Sequence, residues 1–176
     1  MKKIWILAAA AALLMTATAC GAGDVGGVSS QASNSPQKTA PSSNSAQAVS
    51  QDSVEDNLKG LQKYLTGNGA VSGDPTAMRA EVIGAKSGVR YQFSYNGKNN
   101  VTAEFYEYDP ANLNETAKNI LDSVKSSGKF SLMGQQVDAV LSDSGKYLMI
   151  YQDTVVKDEN KANADKVTKL FKSFKN

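Results

Sequence analysis

Apolar residues recur at the spacing of an amphipathic helix in four stretches of the chain. The first covers residues 53–66. The second and third each follow an Asp-Pro pair, Asp74-Pro75 and Asp109-Pro110, which is typical of a helix N-cap with proline in the first helical position. The third ends at Gly128, and the fourth is a lysine-rich segment over residues 161–175. The four apolar stripes are Val54, Leu58, Leu61 and Leu65; Met78, Val82 and Ala85; Leu113, Ala117, Ile120, Leu121 and Val124; and Val167, Leu170, Phe171 and Phe174.

Between these helices the side chains alternate as they do in β-strands. Residues 89–95 and 101–106 alternate around Asn96-Gly97, a pair that predicts a hairpin turn. Further strands are predicted at residues 130–133, 137–141 and 147–152, and the run Tyr147–Tyr151 is apolar throughout, as in a central strand covered on both faces. We therefore predict an α+β fold, a mainly antiparallel sheet of about 4–5 strands with helices packed on one face. The order of elements is also compatible with an αββ duplication.

The first 51 residues differ in composition from the predicted domain at residues 52–176. Lys2 and Lys3 precede an apolar run from Ile4 to Met15, which is shorter than the roughly 20 residues that a membrane-spanning helix needs. Small residues follow this run, so we interpret residues 1–19 as a signal peptide. Residues 20–51 are rich in Ser, Ala, Gln, Asn, Gly and Pro, a composition that predicts a disordered tether.

The run Ala17-Thr18-Ala19-Cys20-Gly21 contains the only cysteine of the chain. It resembles the lipobox of bacterial lipoproteins, which are exported by a type II signal peptide. The resemblance implies that Cys20 receives a diacylglyceryl group and a fatty acid such as palmitate, and that the protein is anchored to the cell membrane on its extracytoplasmic face. The alternative is an ordinary signal peptide cleaved after Ala19. The order of elements in the domain is similar to that of uncharacterised small lipoproteins of Gram-positive bacteria.

The composition excludes several kinds of chemistry. The chain has no histidine, so neither a Ser-His-Asp triad nor a histidine-based zinc site can form. The 19 Lys and Arg nearly balance the 17 Asp and Glu, which argues against a nucleic-acid partner. Residues 126–129 have S-x-x-K spacing but lie at a predicted helix end, and the oxygen-rich stretches 109–115 and 158–160 lack the spacing of a calcium loop. We therefore predict no catalytic residue, no cofactor and no metal.

The tyrosines are the most suggestive residues that remain. If Phe105 points into the core, the opposite face of its strand carries Glu104, Tyr106 and Tyr108, beside Arg90 and Gln92 on the neighbouring strand. Aromatic residues flanked by charges are favoured at binding surfaces, although tyrosine is also common in strands for packing alone.

The sequence thus favours a non-catalytic binding or accessory module. It would bind an unknown protein or small ligand through Arg90, Gln92, Glu104, Tyr106 and Tyr108, and alanine at both tyrosines should leave the fold intact. Two alternatives remain open. One is a cell-envelope enzyme that uses paired carboxylates, and the other is a secreted inhibitor or interaction domain.

Overall fold

A computed structural model describes residues 48–176. The predicted signal peptide, Cys20 and the predicted tether up to residue 47 lie outside the described residues. Within 48–176, no helix has the length and apolar character needed to cross a membrane. Short 3-10 turns occur at Gln51–Ser53 and Ala80–Ile83. The other elements are α1 (Leu58–Gly67), β1 (Thr76–Ala77), β2 (Ser87–Phe93), β3 (Val101–Glu107), α2 (Glu115–Ser127), β4 (Lys129–Leu132), β5 (Gln135–Asp138), β6 (Val140–Leu141), β7 (Tyr147–Asp153) and α3 (Asp158–Lys172).

Five of the strands form one antiparallel sheet in the order β1-β2-β3-β7-β6, and β4 and β5 form a separate hairpin. The hairpin predicted around Asn96-Gly97 joins β2 to β3, with Phe93 opposite Val101. The long central strands β3 and β7 pair over seven residues each, from Val101 opposite Asp153 to Glu107 opposite Tyr147. The prediction of an α+β fold with a mainly antiparallel sheet is therefore confirmed.

The sheet separates two apolar cores. The first core lies between the sheet and helices α1 and α3, and includes Phe105 and Met149 of the central strands. The second core lies on the other face, where Leu148 and Ile150 of β7 pack with α2 and the β4–β5 hairpin. Helices α1 and α3 share one face as expected, but α2 lies on the other. The reason is that β7 is apolar at consecutive positions, so each of its faces needs a cover.

The segment after α1 forms no α-helix, contrary to the prediction from Asp74-Pro75. Thr76 and Ala77 instead extend along β2 opposite Arg90 and Val89, because the two residues complete the edge of the sheet. Only the four-residue turn Ala80–Ile83 is helical, and it ends at Gly84, whose φ is +70°. Of the stripe residues of the expected helix, Ala85 belongs to the second core and Met78 packs against it, but Val82 is exposed and Ile83 is buried in its place.

Helix α2 begins later than the Asp109-Pro110 pair suggested. The Asp109 carboxylate accepts the backbone N–H of Ala111 at 3.1 Å and so stabilises a turn. The helix itself is capped by Asn114, whose side-chain oxygen accepts the N–H of Ala117 at 2.8 Å. It ends at Gly128 as predicted, in the left-handed conformation with φ of +70°.

The predicted strand at residues 137–141 is divided by Ala139 into β5 and β6, which belong to different sheets. The N–H of Ala139 donates to the carbonyl of Gly128, and the N–H of Asp143 donates to the carbonyl of Lys172. Strand β6 is thereby bonded at both ends to the C-terminal ends of α2 and α3. The β4–β5 hairpin interrupts the second half of the suggested αββ repeat, and a 3-10 turn replaces the helix of the first half, so the duplication stays a prediction.

Gly88 is required by the packing of Tyr106, which lies opposite it on β3. A Cβ atom at residue 88 would come within 2.5 Å of the Tyr106 ring. We therefore expect Gly88→Ala to lower the free energy of unfolding by about 1–3 kcal/mol, because the ring must move within a packed core. Urea unfolding of the variant measures this cost. In a Tyr106→Ala background the same substitution should cost much less, and an equal cost in both backgrounds would contradict the contact.

Candidate functional site

A groove lies on the face of the sheet that carries the second core, and we call it the sheet groove. Its floor comes from β2, β3 and β7, one wall from residues 78–83, and the other wall from the β4–β5 hairpin. It has a volume of about 330 Å³, which is near the lower end of the range for ligand sites. It is lined by Arg90, Thr102, Glu104, Tyr106, Ile150 and Gln152 on the floor, and by Met78, Val82, Ile83, Leu132 and Val137 on the walls.

Strand register places the floor residues side by side. Arg90 lies opposite Glu104 on β3, and Glu104 lies opposite Ile150 on β7. The next row on the same face joins Thr102 to Gln152. Because side chains two apart on a strand share a face, these rows form one continuous surface. It is apolar where it meets the second core and polar toward Gln152, which is exposed.

Arg90, Glu104 and Tyr106 form a hydrogen-bonded triad in this floor. Oε1 of Glu104 accepts a hydrogen bond from Nε of Arg90 at 2.8 Å and forms an ion pair with Nη2 at 2.6 Å. Its Oε2 accepts the hydroxyl hydrogen of Tyr106 at 2.7 Å. Both carboxylate oxygens are therefore occupied, as a carboxylate with only 12% of its side chain exposed requires. Burial, together with the hydrogen bond to Glu104, raises the pKa of Tyr106 far above its ordinary value.

The guanidinium of Arg90 is only partly used by the triad. Its side chain is 46% exposed, and the carboxylate of Glu104 occupies the edge formed by Nε and Nη2. The other edge, formed by Nη1 and the second hydrogen of Nη2, has no hydrogen-bond partner among residues 48–176. Arg90 thus presents a free pair of donors beside the apolar walls.

The walls of the sheet groove leave apolar surface exposed to solvent. Val82 is 43% exposed on one wall, and Met133 is 91% exposed at the tip of the hairpin that forms the other wall. The third large hydrophobic residue that is exposed in residues 48–176 is Val156, in the loop before α3. Of these three residues, Val82 lines the groove, and Met133 follows Leu132, which also lines it.

The structure brings together some of the five residues predicted from sequence. Arg90, Glu104 and Tyr106 line the groove. Gln92 is exposed and lies opposite Thr102, in the same row as Thr102 and Gln152, but it is not part of the lining. Tyr108 is only 1% exposed and lies outside the lining; its hydroxyl donates to the carbonyl of Ile83 at 3.2 Å, and burial raises its pKa.

Both tyrosines are buried, which differs from the expectation of an exposed aromatic pair. Double substitution by alanine would create cavities in the second core and would not leave the fold unaffected. Sequence reasoning also missed every wall residue, because the walls come from segments distant along the chain. The one signal in the sequence is the apolar stripe of Met78 and Val82, which predicts a helix at this position.

A second polar cluster surrounds the start of α1. Glu107, with 5% of its side chain exposed, accepts the N–H of Leu58 at 2.9 Å and lies 3.7 Å from Nζ of Lys146. Lys146 also lies 3.2 Å from the carboxylate of Asp56, which accepts the Tyr147 hydroxyl hydrogen at 2.7 Å. Burial acts to raise the pKa of Asp56, but these hydrogen bonds and charges outweigh it and lower the pKa. The two carboxylates are thus engaged in holding the helix start.

No group of three or more metal-ligating side chains occurs among the residues that the structure describes. Within the same range, every buried side-chain nitrogen or oxygen has a hydrogen-bond partner. The sheet groove therefore contains a neutralised ion pair and an apolar wall on each side.

Loss of one hydrogen bond of the triad should lower the stability of the protein by a measurable amount. Tyr106→Phe removes the donor to the buried Glu104 carboxylate, so we expect the free energy of unfolding to fall by about 1–3 kcal/mol. Tyr108→Phe is the matched control, since its hydroxyl bonds a neutral carbonyl, and its cost should be smaller, about 0.5–1.5 kcal/mol. Denaturant unfolding compares the two variants. A larger cost for Tyr108→Phe would show that the triad contributes less than the geometry indicates.

The arrangement of the groove is suited to recognition. The walls can cover an apolar group, and Arg90, Thr102 and Gln152 can hydrogen-bond to a polar one. Comparisons with protein-family models, with curated proteins and with solved structures find no match for this chain.

Proposed function

We propose that this chain is a membrane-tethered extracytoplasmic lipoprotein whose folded part is a non-catalytic binding module, and that the sheet groove holds its ligand. The observation that supports this most is the groove itself. It combines apolar walls with the partly free guanidinium of Arg90, and its one carboxylate, Glu104, is already saturated by Arg90 and Tyr106. A carboxylate held in this way is poorly suited to proton transfer but well suited to fixing an arginine.

The point at which the preceding chain enters the domain is compatible with this function. The carbonyl of Val49 accepts a hydrogen bond from Asn68 at 2.8 Å, and the side chain of Gln51 accepts the N–H of Lys175, also at 2.8 Å. These contacts bind the start of the described chain to the ends of α1 and α3. That layer covers the opposite face of the sheet from the groove. The described chain therefore begins on the face of the sheet opposite the groove.

The paired-carboxylate alternative has weaker support. The groove contains a single carboxylate, whereas hydrolysis by paired acids needs two that face a common substrate. Asp56 and Glu107 do lie near one lysine, but Oδ1 of Asp56 is bonded to Tyr147 and Lys146, and Oε2 of Glu107 accepts the first N–H of α1. An interaction domain that binds a protein side chain in the groove would use the same apolar walls.

The proposed lipid anchor can be tested by substitution of Cys20. In cells that process bacterial lipoproteins, we expect the mature wild-type chain to begin at Cys20 with a covalent diacylglyceryl group and to partition into detergent. Cys20→Ser should lose both properties because serine has no thiol to accept the lipid. Ala22→Ser is the control and should keep both. Intact-mass spectrometry of the N-terminal peptide is the measurement, and an unmodified Cys20 in the wild-type chain would refute lipid anchoring.

The binding site is tested with a panel of small apolar probes: 3-phenylpropan-1-ol, 3-phenylpropanoate and indole. We expect at least one probe to shift the NMR signals of Ile150 and Val82 in the full chain held in lipid nanodiscs. Val137→Arg should abolish the shifts, because the longer arginine side chain would occupy the groove. Gln136→Arg adds the same charge one residue away, at an exposed position of β5, and should retain them. Absence of any shift in the wild-type chain would eliminate the groove as a ligand site.

A further inference from the structure

We infer that the sheet groove selects a small ligand that carries a carboxylate on an apolar body. The inference rests on the proposed binding function and specifies the chemical class of its ligand. Its basis is the position of one half-used guanidinium at the boundary between apolar walls and an open polar row.

The orientation of Arg90 is fixed by Glu104. A guanidinium can bind a carboxylate along either of two edges, and each edge presents two parallel N–H groups. Glu104 takes the edge of Nε and Nη2 through a single oxygen, at 2.8 and 2.6 Å. The edge of Nη1 and Nη2 is left for an incoming group. Because both oxygens of Glu104 are bonded, the guanidinium is held in place before the ligand arrives, so little side-chain freedom is lost on binding.

The free edge favours a planar acceptor with two oxygens. A carboxylate meets both N–H groups at once, whereas a hydroxyl or a single carbonyl meets only one. The apolar walls of Met78, Val82 and Val137 then determine the rest of the ligand, because a fully polar molecule would make no favourable apolar contact with them. A volume of about 330 Å³ limits the ligand to a small molecule or to one terminal residue of a chain.

The charges near the groove set the strength of this preference. Glu104 lies behind the guanidinium and opposes a second carboxylate, so it weakens the attraction of Arg90. Arg79 and Glu81 on the adjoining segment bind each other at 3.0 Å, with side chains 86% and 66% exposed, and add no net charge. Because the negative charge of Glu104 repels a carboxylate ligand, removal of that charge should strengthen carboxylate binding.

The test compares two probes with the same apolar body, 3-phenylpropanoate and 3-phenylpropan-1-ol. NMR titration uses the full chain in lipid nanodiscs, with empty nanodiscs as the baseline. We expect the carboxylate to bind about tenfold more tightly than the alcohol. Arg90→Lys should remove most of this preference, because an ammonium lacks the paired donors. Arg79→Lys, at the only other arginine of the chain, should leave it unchanged.

Glu104→Gln provides an independent readout. The substitution keeps the shape of the side chain and an acceptor for Arg90 but removes the negative charge, so affinity for 3-phenylpropanoate should rise severalfold while affinity for the alcohol stays constant. Equal affinity of the wild-type groove for both probes would overturn the carboxylate preference and leave the proposed binding function standing. Failure of both probes to bind would overturn the inference and count against the groove as the site.

Discussion

The burial of the central strands on both faces is the constraint on which the structure depends. Strands β3 and β7 pair along their full length, and β7 is apolar at Tyr147, Leu148, Met149 and Ile150 in succession. Such a strand is stable only if both of its faces are covered, which requires one layer from α1 and α3 and another from α2 with the β4–β5 hairpin. The second layer covers its face incompletely. The sheet groove is the part of the face that lies between the segment of residues 78–83 and the hairpin.

The floor of the groove also illustrates how a strand can accommodate a buried charge. Glu104 sits in β3 between residues of the apolar core, where an isolated carboxylate would cost several kcal/mol. It is compensated by Arg90 directly across the strand pair and by Tyr106 two residues along the same strand. All three side chains share one face because of the period of two. Gly88 opposite Tyr106 leaves room for the tyrosine ring, so four positions on two strands act together.

Local pattern predicted most of the elements but not their assembly. The apolar stripes identified α1, α2 and α3, and alternation identified β2, β3 and β7, because these signals depend only on which side chains are buried. The helix expected after Asp74-Pro75 does not form, because Thr76 and Ala77 pair with β2 at the edge of the sheet instead. The register of β2 and β3 places Arg90 beside Glu104, and the alternating pattern of the predicted hairpin indicates this neighbourhood. The walls of the groove could not be predicted, because Val82 and Val137 come together only through tertiary packing.

The two edge strands of the sheet have a consequence for contacts between copies of this domain. Strands β1 and β6 have only two residues each, and the backbone on either side of β6 is already bonded to the ends of two helices. An edge this short offers little template for a strand from a neighbouring molecule. At these two strands a neighbouring copy therefore finds little backbone with which to extend the sheet, and aggregation by strand addition there is disfavoured.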